Sequence, residues 1–202
     1  MVEVGGITRT AFIARSALAA GGLYGAGAVA PIVERALAKG PTDDLGIIDF
    51  ALGLETIEAA FYKQALAAKG LSGEVKKALE EISGHEDAHV QQLKRTLEQL
   101  GATASPAPQA RFPSLGGQDA VLSLAIDLEE TGIAAYNGAA TLIESDDLLS
   151  AAGSIVQVEA RHAAALRELA GKDPAPEPFD TGVSPDVTTR RIQPFVKKKG
   201  GA

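Results

Sequence analysis

Two short stretches decide the fold: Gly84-His85-Glu86-Asp87-Ala88-His89-Val90 and Val158-Glu159-Ala160-Arg161-His162. Each contains a Glu that is followed three residues later by a His. Residues three apart lie on one face of an α-helix, so each pair can direct a carboxylate and an imidazole at the same point. The chain has three histidines, and all of them fall in these two stretches. The pattern predicts two helices that contribute to one metal site.

An internal repeat surrounds the two stretches. In each half of the chain a Glu-x6-Tyr element precedes a Glu-x-x-His element, with offsets of 74 residues for the first element and 73 for the second. The repeated positions are Glu55, Tyr62, Glu86 and His89 in the first half and Glu129, Tyr136, Glu159 and His162 in the second. One Glu-x-x-His arises easily by chance in a helical protein. Two of them, placed alike after matching elements, indicate a duplicated site.

Composition favours helices over sheets. Hydrophobic residues make up 46% of the 202 residues, but aromatic residues account for only 4%, and Ala and Gly are abundant. This balance suits helices that pack closely through small side chains, and the length suits one domain with appendages. The chain has no Cys, which excludes disulfides, thiolate metal sites, iron–sulfur clusters and cysteine catalysis.

Helical spacing of apolar residues predicts four helices between residues 42 and 170. They begin at Pro41, Ser72, Gly117 and Ser145 and end at Gly70, Gly101, Glu144 and Gly171. The links within each pair are short, so each pair is predicted to form an antiparallel hairpin. Residues 102–116 hold three prolines and are long enough to cross back along the bundle. Asn137-Gly138 would normally mark a turn, but the repeat register continues through Tyr136, so we expect helix three to continue.

The repeated residues supply the donors of a dinuclear metal site. Four carboxylates and two neutral imidazoles balance the charge of two divalent cations, and oxygen ligands with imidazole suit iron or manganese. Without metal, four carboxylates in a bundle core repel one another and are costly to bury. One Glu from each of two helices, with Glu-x-x-His from each of the other two, is the ligand set of dinuclear bundles. The predicted ligands are Glu55, Glu86, His89, Glu129, Glu159 and His162, and the predicted cofactor is two iron ions or, alternatively, manganese.

Residues 42–170 resemble the ferritin-like superfamily. The phrase Leu-Glu-x-x-Glu-x-x-Phe-Tyr, from Leu54 to Tyr62, is similar to the branch of bacterial ferritin-like domain proteins that includes plant desiccation-related proteins. The resemblance implies an all-α four-helix bundle with Glu86 and Glu159 as bridging carboxylates. It also places Tyr62 and Tyr136 close to the site as candidate catalytic residues.

The activity that the resemblance implies is metal-dependent redox chemistry toward peroxide or dioxygen. Members of the superfamily oxidise and store iron, reduce peroxide or activate dioxygen, so the fold does not select one reaction. A ferroxidase-like or peroxidase-like enzyme is the first hypothesis. A metal-binding, stress-protective protein with little turnover is the second.

Other side chains near the motifs carry different interpretations. Glu58 and Glu130 compete with the repeated carboxylates. Glu58 is either an extra ligand or, as the simpler prediction, a surface charge. The segment His85-Glu86-x-x-His89 matches the zinc metalloprotease motif, in which both histidines bind zinc and the Glu is the base. Val158 stands where a duplicated motif would need a second such His. A zinc hydrolase is therefore an alternative, and His85 is expected at the rim of the centre.

The first 38 residues have the order of an export signal: basic, weakly apolar, then small. The stretch Thr8-Arg9-Thr10-Ala11-Phe12-Ile13 resembles a twin-arginine signal whose second Arg is a Thr, and Ala36-Leu37-Ala38 is a small-x-small cleavage pattern. The apolar run is also barely long enough for a single-span anchor, and a cytosolic N-terminal helix is the third interpretation. We expect a periplasmic or cell-envelope protein if the leader functions, and a cytoplasmic one otherwise.

The charge distribution separates the tail from the body. Residues 39–171 hold ten basic and twenty acidic side chains, whereas residues 172–202 hold six basic and four acidic. An acidic body argues against a nucleic-acid partner. The Pro-rich, basic-ended tail from residue 171 is predicted to be flexible or docked on the body by charge, with a short helix from Ser184-Pro185 to about Val196. The predicted partners are metal ions and dioxygen or peroxide; a homodimer and membrane contact through the leader stay open.

Overall fold

The protein is described by a computed structural model that covers residues 43–197. The elements in chain order are α1 (Asp44–Ala65), α2 (Gly73–Gln99), α3 (Gln118–Ala139), α4 (Asp146–Leu169), α5 (Pro185–Ile192) and a 3₁₀-helix (Gln193–Phe195). The predicted all-α fold is confirmed, since the described range contains only helices and one isolated β-bridge. The leader predicted over residues 1–38 lies outside the described residues.

Local sequence signals set most of the helix boundaries. The hydroxyls of Ser72 and Ser145 accept hydrogen bonds at 3.2 and 3.3 Å from backbone N–H groups three residues further on, which caps α2 and α4. Gly101 and Gly171 follow the same two helices with φ angles of 73° and 69°. Only a residue without a Cβ adopts that conformation readily, so both helices end where the glycines predict.

Crossed contacts between α1 and α3 establish the topology. Tyr62 on α1 donates a hydrogen bond to Glu129 on α3, and Tyr136 on α3 donates one to Glu55 on α1. The earlier residue of α1 pairs with the later residue of α3, so these helices are antiparallel. The short link from α1 to α2 makes those two antiparallel as well. Consequently α2 and α3 run in the same direction, and residues 100–117 form the predicted crossover.

The prediction that helix three continues to Glu144 is wrong. α3 ends at Ala139, directly after the Asn137-Gly138 pair. The backbone N–H groups of Glu144 and Ser145 instead donate to the two carboxylate oxygens of Asp44, at 2.9 and 3.0 Å. This tertiary contact satisfies polar groups in the turn that precedes α4, so the chain can leave the helix five residues early.

Two apolar clusters fill the bundle on either side of a polar layer. On α2, one cluster contains Leu79 and Ile82 and the other contains Leu93 and Leu97. The stretch 86–89 lies between them, and α1, α3 and α4 each contribute a buried Glu to the same cluster. The cluster of acidic side chains and imidazoles is therefore enclosed by apolar packing at both ends.

The tail packs against the bundle through backbone contacts. The Val183 N–H donates to the Ala134 carbonyl at 2.9 Å, Ala110 and Val196 form an antiparallel bridge, and Ile192 is buried. The predicted short helix is present as α5. Docking is thus achieved by hydrogen bonds and apolar burial, whereas the sequence suggested either a flexible tail or docking by charge. None of the helices between residues 43 and 197 is long and apolar enough to cross a membrane.

Candidate metal centre

The structure brings all six predicted ligands together in the middle of the bundle. α1 supplies Glu55, α3 supplies Glu129, and α2 and α4 each supply one Glu-x-x-His pair. The side chains of all four Glu residues are fully buried, and His89 and His162 are only 9% and 4% exposed. Carboxylates almost never lie at such depth unless they are paired or bind a cation.

The six side chains form two overlapping groups of four. The first position consists of Glu55, Glu86, His89 and Glu159, and the second of Glu86, Glu129, Glu159 and His162. Within each group, one ligand atom from every residue lies within 4.8 Å of the others. Glu86 and Glu159 belong to both positions.

At the first position three carboxylate oxygens surround one imidazole nitrogen. The Nδ1 atom of His89 lies 3.2 Å from Glu55 Oε2, 3.4 Å from Glu86 Oε2 and 3.0 Å from Glu159 Oε1. The i,i+3 spacing of Glu86 and His89 on α2 produces one of these contacts, and tertiary packing produces the other two. This arrangement offers one nitrogen and three oxygen donors at a single point.

The second position repeats the arrangement with the other histidine. The Nδ1 atom of His162 lies 3.1 Å from Glu86 Oε1, 3.3 Å from Glu129 Oε2 and 3.7 Å from Glu159 Oε2. Each shared Glu therefore directs one oxygen to each position. Such a carboxylate would hold a cation at either position.

The pattern of hydrogen bonds fits a metal better than a purely protein-bonded cluster. Among residues 43–197, both oxygens of Glu86, both of Glu159, Glu129 Oε2 and His162 Nδ1 are buried without a hydrogen-bond partner. The contacts of His162 Nδ1 have the distances of ion pairs but not the geometry of hydrogen bonds. Buried polar atoms without partners are costly, and cations at the two positions would satisfy these atoms together.

The electrostatics of the cluster point to missing positive charge. Burial opposes a charge on His89 and on His162, but the surrounding carboxylates outweigh it and raise their pKa values to about 12 and about 11. Burial raises the pKa of Glu55 to about 8, against the opposing effect of His89. The carboxylates thus favour positive charge at both imidazoles, and a metal ion would supply that charge in place of a proton.

The two candidate catalytic tyrosines bind the unshared carboxylates. Tyr62 donates to Glu129 Oε1, and Tyr136 donates to Glu55 Oε1 at 2.6 Å. Burial and the neighbouring carboxylates raise the pKa of both phenols well above the usual value. Each tyrosine donates to Oε1 of its Glu, and the Oε2 atom of the same Glu faces the histidine of that metal position.

His85 contacts the centre from the solvent side. Its Nδ1 lies 2.9 Å from Nε2 of His162, and the two ring planes differ by 9°. His85 itself is exposed and belongs to neither position. The zinc metalloprotease motif requires both histidines to bind one metal ion. The structure does not bring His85 and His89 together in this way.

The two competing carboxylates have different surroundings. Glu130 is partly exposed and forms an ion pair with Arg167, whose Nε donates to it at 2.7 Å. Glu58 is only 4% exposed, so the expectation of a surface charge there is wrong. Sequence reasoning undervalued Glu58 because the repeat breaks there: its counterpart in the other half is Gly132. His85 lies at the rim of the centre, as expected.

A one-crossover four-helix bundle with a buried carboxylate–histidine cluster is the architecture of ferritin-like proteins. The chain matches the ferritin-like domain family over residues 43–172, and it belongs to that family. This confirms the resemblance found in the sequence.

One solved structure with this fold is a conserved hypothetical protein, rv2844, from Mycobacterium tuberculosis. It is 20% identical to this chain, with a TM-score of 0.55, and the match covers 67% of this chain and 96% of that one. At this identity the likeness shows the fold alone. No curated protein matches the chain.

Proposed function

We propose that the chain is a dinuclear metal protein with redox activity toward peroxide or dioxygen. The observation that carries the proposal is the pair of four-residue positions that share Glu86 and Glu159. Unpartnered oxygens at both positions and the absence of thiolate ligands favour iron or manganese.

Each ion would be held by its own pair of residues and by two shared carboxylates. Glu55 and His89 serve the first position, Glu129 and His162 serve the second, and the shared carboxylates serve both. Four carboxylates and two neutral imidazoles match the charge of two divalent cations. When bound, such a pair supplies or accepts the electrons that convert peroxide or dioxygen.

The tyrosines keep the unshared carboxylates in place. Because Tyr136 binds Oε1 of Glu55 at 2.6 Å, that carboxylate cannot rotate away from His89 without losing a buried hydrogen bond. Tyr62 restrains Glu129 in the same way. Apolar packing on both sides of the layer excludes bulk water, which strengthens every electrostatic contact within it.

His85 orients the ring of His162 from the solvent side of the centre. When Nδ1 of His162 faces a metal, its Nε2 carries the hydrogen and donates to Nδ1 of His85. This contact fixes the ring of His162 and connects it to the surface.

Metal analysis tests the proposal. The purified protein, loaded with ferrous iron or Mn²⁺ and desalted, should hold two ions per chain, and Glu159→Ala should hold none while keeping its helical circular dichroism. Unchanged stoichiometry in Glu159→Ala would refute the assignment of the centre. Peroxide consumption by the loaded protein separates an enzyme from a protein that only binds metal, the second hypothesis drawn from the sequence.

A further inference from the structure

A further carboxylate, Glu58, is buried beside the centre. It lies one helical turn after Glu55 on α1 and is only 4% exposed. Its Oε2 atom has no hydrogen-bond partner among residues 43–197. A carboxylate in such a place needs either a proton or a cation, because an unpaired buried charge is strongly unfavourable.

Gly132 on α3 makes the room that Glu58 occupies. A Cβ atom built on Gly132 would lie 2.9 Å from Glu58 Oε1, closer than real side chains approach. By contrast, a Cβ on Gly53 or Gly153, two other glycines inside bundle helices, would meet nothing within 4 Å. The absence of a side chain at Gly132 therefore leaves the space that the carboxylate of Glu58 occupies.

The internal repeat makes Glu58 and Gly132 equivalent positions. Each lies three residues after the unshared Glu of its own half, at the offset of 74 that relates Glu55 to Glu129. One half contributes a carboxylate there, and the other half contributes the space for it. The two halves are alike in their predicted ligands but differ at this point.

The charges that surround Glu58 are those of the centre. Burial raises its pKa well above the usual value, and the carboxylates of Glu55, Glu159, Glu86 and Glu129 raise it further. The four neighbours are the four Glu residues of the two positions. A metal ion there would therefore attract Glu58 as it attracts them.

We propose that Glu58 is a fifth carboxylate ligand of the centre, with Gly132 providing the space that it needs. The proposal rests on the proposed function. Glu58 belongs to neither four-residue position, so it is an additional donor beside them. With five carboxylates and two neutral imidazoles, the ligand charge of −5 matches one divalent and one trivalent ion. Glu58 accordingly stabilises the more oxidised centre.

The test compares three variants with the wild type: Glu58→Gln, Gly132→Ala and Gly153→Ala. Glu58→Gln keeps the shape and removes the charge, and Gly132→Ala displaces the carboxylate without altering it. Gly153→Ala is the matched control, since it adds the same methyl group within α4 where space is open. The readouts are titration with ferrous iron, the reduction potential of the iron-loaded protein, and the melting temperature of the metal-free protein.

We expect Glu58→Gln to weaken binding of one of the two ions about tenfold or more and to raise the reduction potential of the centre. Gly132→Ala should change the affinity and the potential in the same direction. Gly153→Ala should keep the wild-type affinity and potential, although the better helix propensity of Ala raises its melting temperature. If the wild type binds two ions and neither Glu58→Gln nor Gly132→Ala changes affinity or potential, Glu58 is a structural residue and the inference fails, while the dinuclear centre stands. A wild type that binds no metal would overturn both proposals.

Discussion

Replacing Glu159 with Gln should abolish metal binding at both positions, whereas replacing Glu55 with Gln should abolish it at one. Glu159 directs one oxygen toward His89, at 3.0 Å from Nδ1, and the other toward His162, at 3.7 Å. Glu55 contacts only His89, at 3.2 Å. A neutral amide at position 159 therefore removes a charged donor from both groups of four, and one at position 55 removes it from the first group alone.

The wild type and the two variants should differ in how much bound metal stabilises the folded protein. A ligand present at about 100 times its Kd stabilises the folded protein by about 2.7 kcal/mol for each filled position. Two positions give roughly 5 kcal/mol in the wild type, one gives about half of that in Glu55→Gln, and Glu159→Gln should gain almost nothing. For a domain of this size, 1 kcal/mol raises Tm by about 2–4 °C, so the wild type should gain about 10–20 °C.

Thermal unfolding followed by circular dichroism, with and without a chelator, measures the three gains. Glu130→Gln is the control, because Glu130 pairs with Arg167 and belongs to neither position; it should show the full gain. Equal losses in Glu55→Gln and Glu159→Gln would refute the reasoning, since they would mean that no carboxylate is shared.

Three further predictions concern the histidines and the tail. The pKa values of His89 and His162 are raised from 6.5 to about 12 and about 11. Their contribution to stability is therefore complete below pH 6.5 and is lost as pH rises toward 11. Thermal melts of the protein in chelator should show a Tm that falls from pH 6.5 to 9. His85→Ala should weaken metal binding at the second position about tenfold in a metal titration, and His85→Asn should restore part of it, because its amide oxygen can accept the Nε2–H. Gly138→Ala would place a Cβ 1.9 Å from the Val183 carbonyl oxygen and so push the tail away from α3. Limited proteolysis should then cut the tail faster, and the free energy of unfolding should fall by about 1–3 kcal/mol.

Local patterns were sufficient to predict four helices and the six side chains that converge inside the bundle. A spacing of three residues places Glu86 and His89 on one face whatever the rest of the chain does, because the helix itself sets that geometry. The duplication then identified Glu55 and Glu129 in preference to adjacent carboxylates. Glu130 points away from the centre and pairs with Arg167, because adjacent residues of a helix do not share a face.

Contacts between distant residues decided the rest. Helix α3 ends early because Asp44 binds backbone groups that lie 100 and 101 residues later in the chain, and no local pattern can encode such a bond. The sequence alone determined that a duplicated four-helix bundle would carry two Glu-x-x-His pairs. Only the tertiary structure decided that Glu58 is buried opposite Gly132, because burial depends on which helix face meets which neighbour, and packing sets that choice.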